Sequence, residues 1–374
     1  MLNKNFINNL NFNNTDKKFV LMILFITLGL ILQAGAGSWD ATSHLLKKPD
    51  TFFTPPHILL YSGIILTLMS FTLSVYIFTT KSSILNKTSK DSLKLLILGT
   101  IFLVGGAPFD FIWHRIFGND GLLSPPHLTL LSGMLMQNVG GLLGAYSIYK
   151  NSPSFQRFMK LIMIPLFSTL IYVSTWYVYF FTLLFSKGHS LNFNPDPLVA
   201  VIISLICIPF VTSMIYTTVF KFYKKTGVIS IIATIVMTIN ILGSIVPARS
   251  FLYSPFIILF YIIASIIPIM TADYIGNFNS VSSFKKVKKR NTIYILLGGF
   301  IIGSPFYIFN FPMLAVVFSK LFGLPLTIGD IADNFFLTLL PSYPFTYSII
   351  VSSIFAGFMG LAGSYAIVKS KIFS

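Results

Sequence analysis

The sequence contains no glutamate and a single cysteine. All ten of its acidic side chains are therefore aspartates. Disulfides within the chain are excluded, and Cys207, inside an apolar run, reads as a small buried residue. Charge is also scarce: 10% of residues are charged, against about a quarter in a soluble domain. That scarcity excludes an ordinary soluble fold. Apolar residues take up the difference, at 55% of 374 residues and a mean hydropathy of +0.81.

Apolar runs near twenty residues recur, long enough to cross a hydrocarbon core of ~30 Å as helices. The spans fall at about 19–37, 57–80, 93–113, 126–149, 160–185, 197–220, 227–246, 252–272, 292–318 and 335–368. Prolines interrupt the last two, so the ninth can end near Phe311 and the tenth can begin near Pro344. The fold class expected is all-α, a polytopic membrane protein of about ten helices arranged as hairpins.

The net charge of +16 raises the question of a nucleic-acid partner, and its distribution answers it. With the N-terminus cytoplasmic, all but six of the 26 Lys and Arg fall on the inner side, the exceptions being Lys47, Lys48, Arg115, Lys187, Arg249 and Lys320. This is the positive-inside pattern. It predicts both termini in the cytoplasm and the bilayer of the cell membrane, not nucleic acid, as the partner. The Lys285–Arg290 cluster then reads as a topology anchor.

Three regions follow: a disordered Asn-rich tail at 1–18, a duplicated region at 19–149, and a helical scaffold at 150–374. The duplication is visible at an offset of seventy, where Gly29, Gly35, Leu60, Ser62 and Gly63 match Gly99, Gly105, Leu130, Ser132 and Gly133. Phe19 to Gln33 followed by Ala34-Gly35-Ala36 has the form of a signal peptide. Its match to an internal span predicts that it is retained.

The repeat carries chemistry. Asp40, His44 and His57 form one set, the last inside Thr54-Pro55-Pro56-His57; Asp110, His114 and His127 form a second with the same spacings, inside Ser124-Pro125-Pro126-His127. Four of the five histidines lie in these two sets. Asp and His four apart share a helix face, and proline is favoured in a first helical turn. Each hairpin is thus expected to bring two ligands from an outgoing helix and one from a returning helix, on the outer face of the membrane. One carboxylate and two imidazoles leave coordination positions open, as catalytic or exchange sites require. Copper, zinc and iron all accept such ligands, as one or two ions, and structural hydrogen bonding is the alternative.

The segment Phe53-Thr54-Pro55-Pro56-His57-x-x-Leu60-Tyr61-Ser62, with Asp40 and His44 before it, resembles the copper-site segment of the C subunit of particulate methane and ammonia monooxygenases. The resemblance covers roughly residues 29–144 and implies copper at both ligand sets. Asp110 stands where the methane enzyme has asparagine. It also implies oxygen activation and hydroxylation of a small apolar or gaseous substrate, with electrons from an external donor and other membrane subunits as partners. Other functions compatible with the residues are copper or zinc transport, storage or delivery, and a non-catalytic subunit of a membrane complex. No flavin, haem or iron–sulfur motif is visible.

Trp39 and Trp113 neighbour the ligands and are candidates for a surrounding wall, or members of an interfacial aromatic belt. Arg115 can pair with Asp120, meet a polar substrate, or simply face solvent. Tyr172, Trp176 and Tyr179 recur at helical spacing and read as packing, while His189, Asp196, Asp330 and Asp333 read as outer-loop residues.

Overall fold

A computed structural model describes residues 14–45, 53–117, 123–181, 197–245, 266–275, 288–306 and 345–370, and the regular structure in them is helical. In chain order the helices are α1 (Asn14–Leu45), α2 (Pro55–Lys81), α3 (Lys87–Phe117), α4 (Pro125–Asn151), α5 (Gln156–Phe180) and α6 (Pro197–Tyr223). They continue with α7 (Val228–Asn240), α8 (Ile266–Ile275), α9 (Lys288–Phe306) and α10 (Phe345–Lys369). A π-helical turn, Ile241–Ile245, extends α7.

Seven of these, α1 to α6 and α10, are long and apolar enough to cross a membrane. The chain is therefore all-α and polytopic. The remaining three of the ten expected spans correspond to the shorter apolar helices α7, α8 and α9 among the described residues. The described parts of the ninth and tenth spans are Lys288–Phe306 and Phe345–Lys369, and the alternative boundaries near Phe311 and Pro344 lie outside the described residues. α1 begins at Asn14, inside the 1–18 segment expected to be disordered. Asp16 in its first turn suits the positive end of the helix dipole and accepts a hydrogen bond from Ser152 Oγ at 2.8 Å. Residues 1–13 lie outside the described set.

α1 and α2 run antiparallel. Ser70 Oγ donates to Met22 O at 3.1 Å at one level, and Gln33 Nε2 donates to Thr67 Oγ1 at 2.6 Å further along. α3 and α4 repeat the arrangement, with Ser92 Oγ donating to Gly140 O at 2.7 Å and Gln137 Nε2 to Thr100 Oγ1 at 3.2 Å. The backbones cross closest at the repeated glycines. A Cβ on Gly29 would stand 2.9 Å from Gly63 O, and one on Gly99 would stand 2.7 Å from Gly133 O. Helices in lipid associate through such small-residue contacts, since burial of apolar surface gives little driving force there. In each hairpin a glutamine amide latches onto a threonine hydroxyl, but the roles are exchanged. The glutamine is on the outgoing helix in the first and on the returning helix in the second.

α1 is enclosed by α2, α4, α5 and the turn after α7. Phe19, Met22, Ile23, Ile26 and Leu30 are buried on it. α2 and α3 instead turn large apolar side chains outward, among them Ile58, Ile65, Leu68, Ile101, Phe102 and Phe111, as lipid-facing helices do. α6, α9 and α10 make a second group, tied by Ser213 Oγ to Gly299 O at 3.1 Å and by Thr217 Oγ1 with Ser364 Oγ at 2.7 Å. Buried Asp273 of α8 joins α7 to the fold by accepting from Gly227 N at 2.8 Å and Ser230 Oγ at 2.9 Å.

Candidate metal centre

The two motifs occupy equivalent places. Asp40 lies near the end of α1 and Asp110 near the end of α3, each one turn before the motif histidine, His44 or His114. His57 and His127 are the third residues of α2 and α4, behind the proline pairs that open those helices. Proline has no N–H to leave unpaired in a first turn, which is why the chain can start a helix there so abruptly. The second start is further fixed by Ser124, whose Oγ accepts from His127 N at 3.4 Å. Thr54 at the first start has extended backbone and makes no side-chain cap.

The hairpins bring aspartate and histidine together identically. His57 Nε2 is 3.1 Å from Asp40 Oδ1, and His127 Nε2 is 3.1 Å from Asp110 Oδ1. The side chains are 16% and 23% exposed in the first pair and 16% and 25% in the second. The surroundings differ. His127 meets Phe180 of α5 at a ring distance of 5.7 Å, whereas His57 lies 6.1 Å from Tyr61 on its own helix.

Two ligands at about 2.0–2.2 Å from one ion stand roughly 2.9–3.4 Å apart, depending on the angle between them. The Asp–His separation fits that value, and it equally fits a direct hydrogen bond. Among the described residues, no group of three or more His, Cys, Asp or Glu side chains is assembled. His44 and His114 are placed on their helices, but their side chains lie outside the described set. Thus two members of each expected trio are brought together, Asp40 with His57 and Asp110 with His127.

No family model, curated protein or solved structure matches the chain.

From Lys18 to Asp40 along α1 is about 33 Å, and from Lys90 to Asp110 along α3 about 30 Å, at 1.5 Å per residue. Both lengths match the ~30 Å thickness of a hydrocarbon core. Lys94, one turn further in, is exposed and long enough to extend toward the headgroups.

The neighbouring candidates separate. Trp113 is half-buried and contacts Phe109 at 5.9 Å and Phe117 at 4.4 Å on its own helix. Trp39 is half-buried beside Asp40. Arg115 is exposed, with its guanidinium 5.2 Å from the Phe111 ring, and points to the surface rather than the pair. Trp176 packs on Tyr172 at 6.2 Å, Tyr179 at 5.5 Å and Phe180 at 6.4 Å, so the α5 aromatics form the wall behind His127. Phe180 was not marked by the sequence reading, because only its place opposite α4 distinguishes it from the other 38 phenylalanines (39 in all). His189, Asp196, Asp330 and Asp333 lie outside the described residues.

Proposed function

We propose that this multi-pass membrane protein binds copper at Asp40, His44 and His57 and at Asp110, His114 and His127. On this reading it is a monooxygenase, or a subunit of one, acting on a small apolar or gaseous substrate. The observation that carries the proposal is the same Asp–His pair, kept at one distance in both copies of the duplicated hairpin. The resemblance of the Thr54–Ser62 segment to the monooxygenase C subunit favours copper over zinc and iron.

The lysine distribution supports both termini in the cytoplasm and the pairs toward the outer face. Asp40 and Asp110 would offer anionic oxygen donors, and the four histidines neutral imidazoles. A bound copper ion would supply redox chemistry at its open positions. The helical hairpins hold the donors in place and set them where substrates dissolved in lipid can arrive. Electrons would come from an external donor.

The test is copper loading of the purified protein followed by oxygen uptake in the presence of small hydrocarbons or ammonia and a reductant. Substrate-dependent oxygen consumption that is lost in His57→Ala or His127→Ala supports an oxygenase. Copper movement across vesicles without oxygen consumption replaces that activity with transport. Bound copper with neither activity points to a structural subunit.

A further inference from the structure

We propose that α1, α4 and α5 enclose an internal water-binding site, held by Gln33, Asn138 and Trp176. Three contacts fix the register of α4 against α5. His127 meets Phe180 at a ring distance of 5.7 Å, Thr169 Oγ1 donates to Asn138 Oδ1 at 3.3 Å, and a Cβ on Gly141 would stand 3.2 Å from Leu166 Cδ2. The helices run in opposite directions, so this register sets Leu131 at the level of Trp176 and Met134 at that of Val173. The facing residues recur at alternating intervals of four and three, as in a coiled-coil seam. They are His127, Leu131, Met134, Asn138 and Gly141 on α4, and Leu166, Thr169, Val173, Trp176 and Phe180 on α5. α1 closes the third side, since the same Cβ on Gly141 would stand 3.4 Å from Ile26 Cγ2, and one on Gly144 3.2 Å from Phe19 Cε1. Gln33 is two turns beyond Ile26 on the same face of α1, at the level of Met134.

Each of the three helices brings a polar side chain with an unanswered atom to this seam. Asn138 is 0% exposed, and its Nδ2 has no hydrogen-bond partner. Turning the amide over exchanges its two atoms but still leaves one unanswered, because Thr169 Oγ1 meets one of them at a time. Gln33 is equally buried; its Nε2 is committed to Thr67, and its Oε1 has no partner. The indole Nε1 of Trp176 is buried and unpartnered as well. From the level of Leu131 to that of Asn138 is about 10 Å along the helix axis, so the three lie within two turns. Gln137 Oε1 is unpartnered too, but its Cγ lies 2.9 Å from a Cβ on Gly99 of α3, which sets it on another face of α4.

The set decides the class of ligand. Gln33 offers an acceptor, Trp176 a donor, and Asn138 either. An anion would meet the Gln33 oxygen, and a cation would meet the indole N–H. A small neutral molecule that both donates and accepts satisfies all three, and water does so with the two to four polar partners a buried water takes. The incentive is strong between helices that cross lipid, where an unpaired polar atom has no solvent to turn to. Along α4 the site begins about 6 Å from His127 and extends to about 16 Å. It thus sets water behind the Phe180 and Trp176 wall of the Asp110–His127 pair, whether or not that pair holds a metal.

The experiment is X-ray radiolysis of the full chain in lipid nanodiscs without metal. Brief irradiation turns bound water into hydroxyl radicals that oxidise the side chains they touch, and mass spectrometry reads the rate at each residue. Met134 lies on the seam between the levels of Trp176 and Asn138, while Met159 and Met163, at 0% and 2% exposure, lie toward the other end of α5. Met134 should be oxidised several-fold faster than either. Asn138→Leu, which keeps the volume and removes the amide, should bring Met134 down to the rate of Met159. Gln33→Met, which removes the acceptor on α1, should lower it as well and serves if Asn138→Leu does not fold. Met134 reacting no faster than Met159 in the native protein, or at an unchanged rate in whichever of the two variants folds, overturns the site.

Discussion

The serine that opens α4 shows how single residues set the site. Ser124 is fully buried and accepts from the backbone N–H of His127, so it fixes the turn that aims the imidazole. Replacing it by alanine should cost about 1 kcal/mol. Thermal melts of Ser124→Ala in detergent measure the loss, and an unchanged melting temperature would mean that the cap does not position His127. Asp110→Asn tests the carboxylate itself, since it preserves the oxygen but removes the charge. It should weaken copper binding at the second pair and leave the first intact, as read by titration against a competing chelator.

At the scale of helices, the repeated glycines determine how closely each hairpin closes. Gly99→Ala would press its methyl group against Gly133 O and should destabilise by about 1–3 kcal/mol, while Gly105→Ala should be tolerated. Melting temperatures of the pair settle the point. Much of this level was legible in the sequence: the offset of seventy revealed the hairpins, and the proline pairs marked the starts of α2 and α4. The exchanged latches were not legible. Gln33 finds Thr67 and Gln137 finds Thr100 only once two helices have a register, and no local pattern encodes it. Ser38 was hidden for the same reason, because the turn that buries it is formed by Ile241–Ile245, far along the chain. Residues 14–18 are helical where their composition suits a tail, and the rest of that segment lies outside the described residues.

Over the whole molecule, the proposal gives the chain an orientation, with most lysines toward the cytoplasm and the Asp–His pairs toward the outer face. In the Cys207→Ser background, a cysteine at Thr54 should react with an impermeant thiol reagent applied outside intact cells. One at Ser82 should react only after the membrane is opened, and the reverse pattern would invert the topology. The motif residues stood out in the sequence because the duplication repeated their spacing, while the Asp40–His57 and Asp110–His127 pairings required the fold. Metal content tests the central claim most directly. The protein purified from its native membrane is to be analysed by elemental mass spectrometry beside Asp40→Ala, His57→Ala, Asp110→Ala and His127→Ala. The account predicts copper in the native protein and a loss of copper in each variant that still folds. A native protein without transition metal, or a metal content unchanged by all four substitutions, would contradict it.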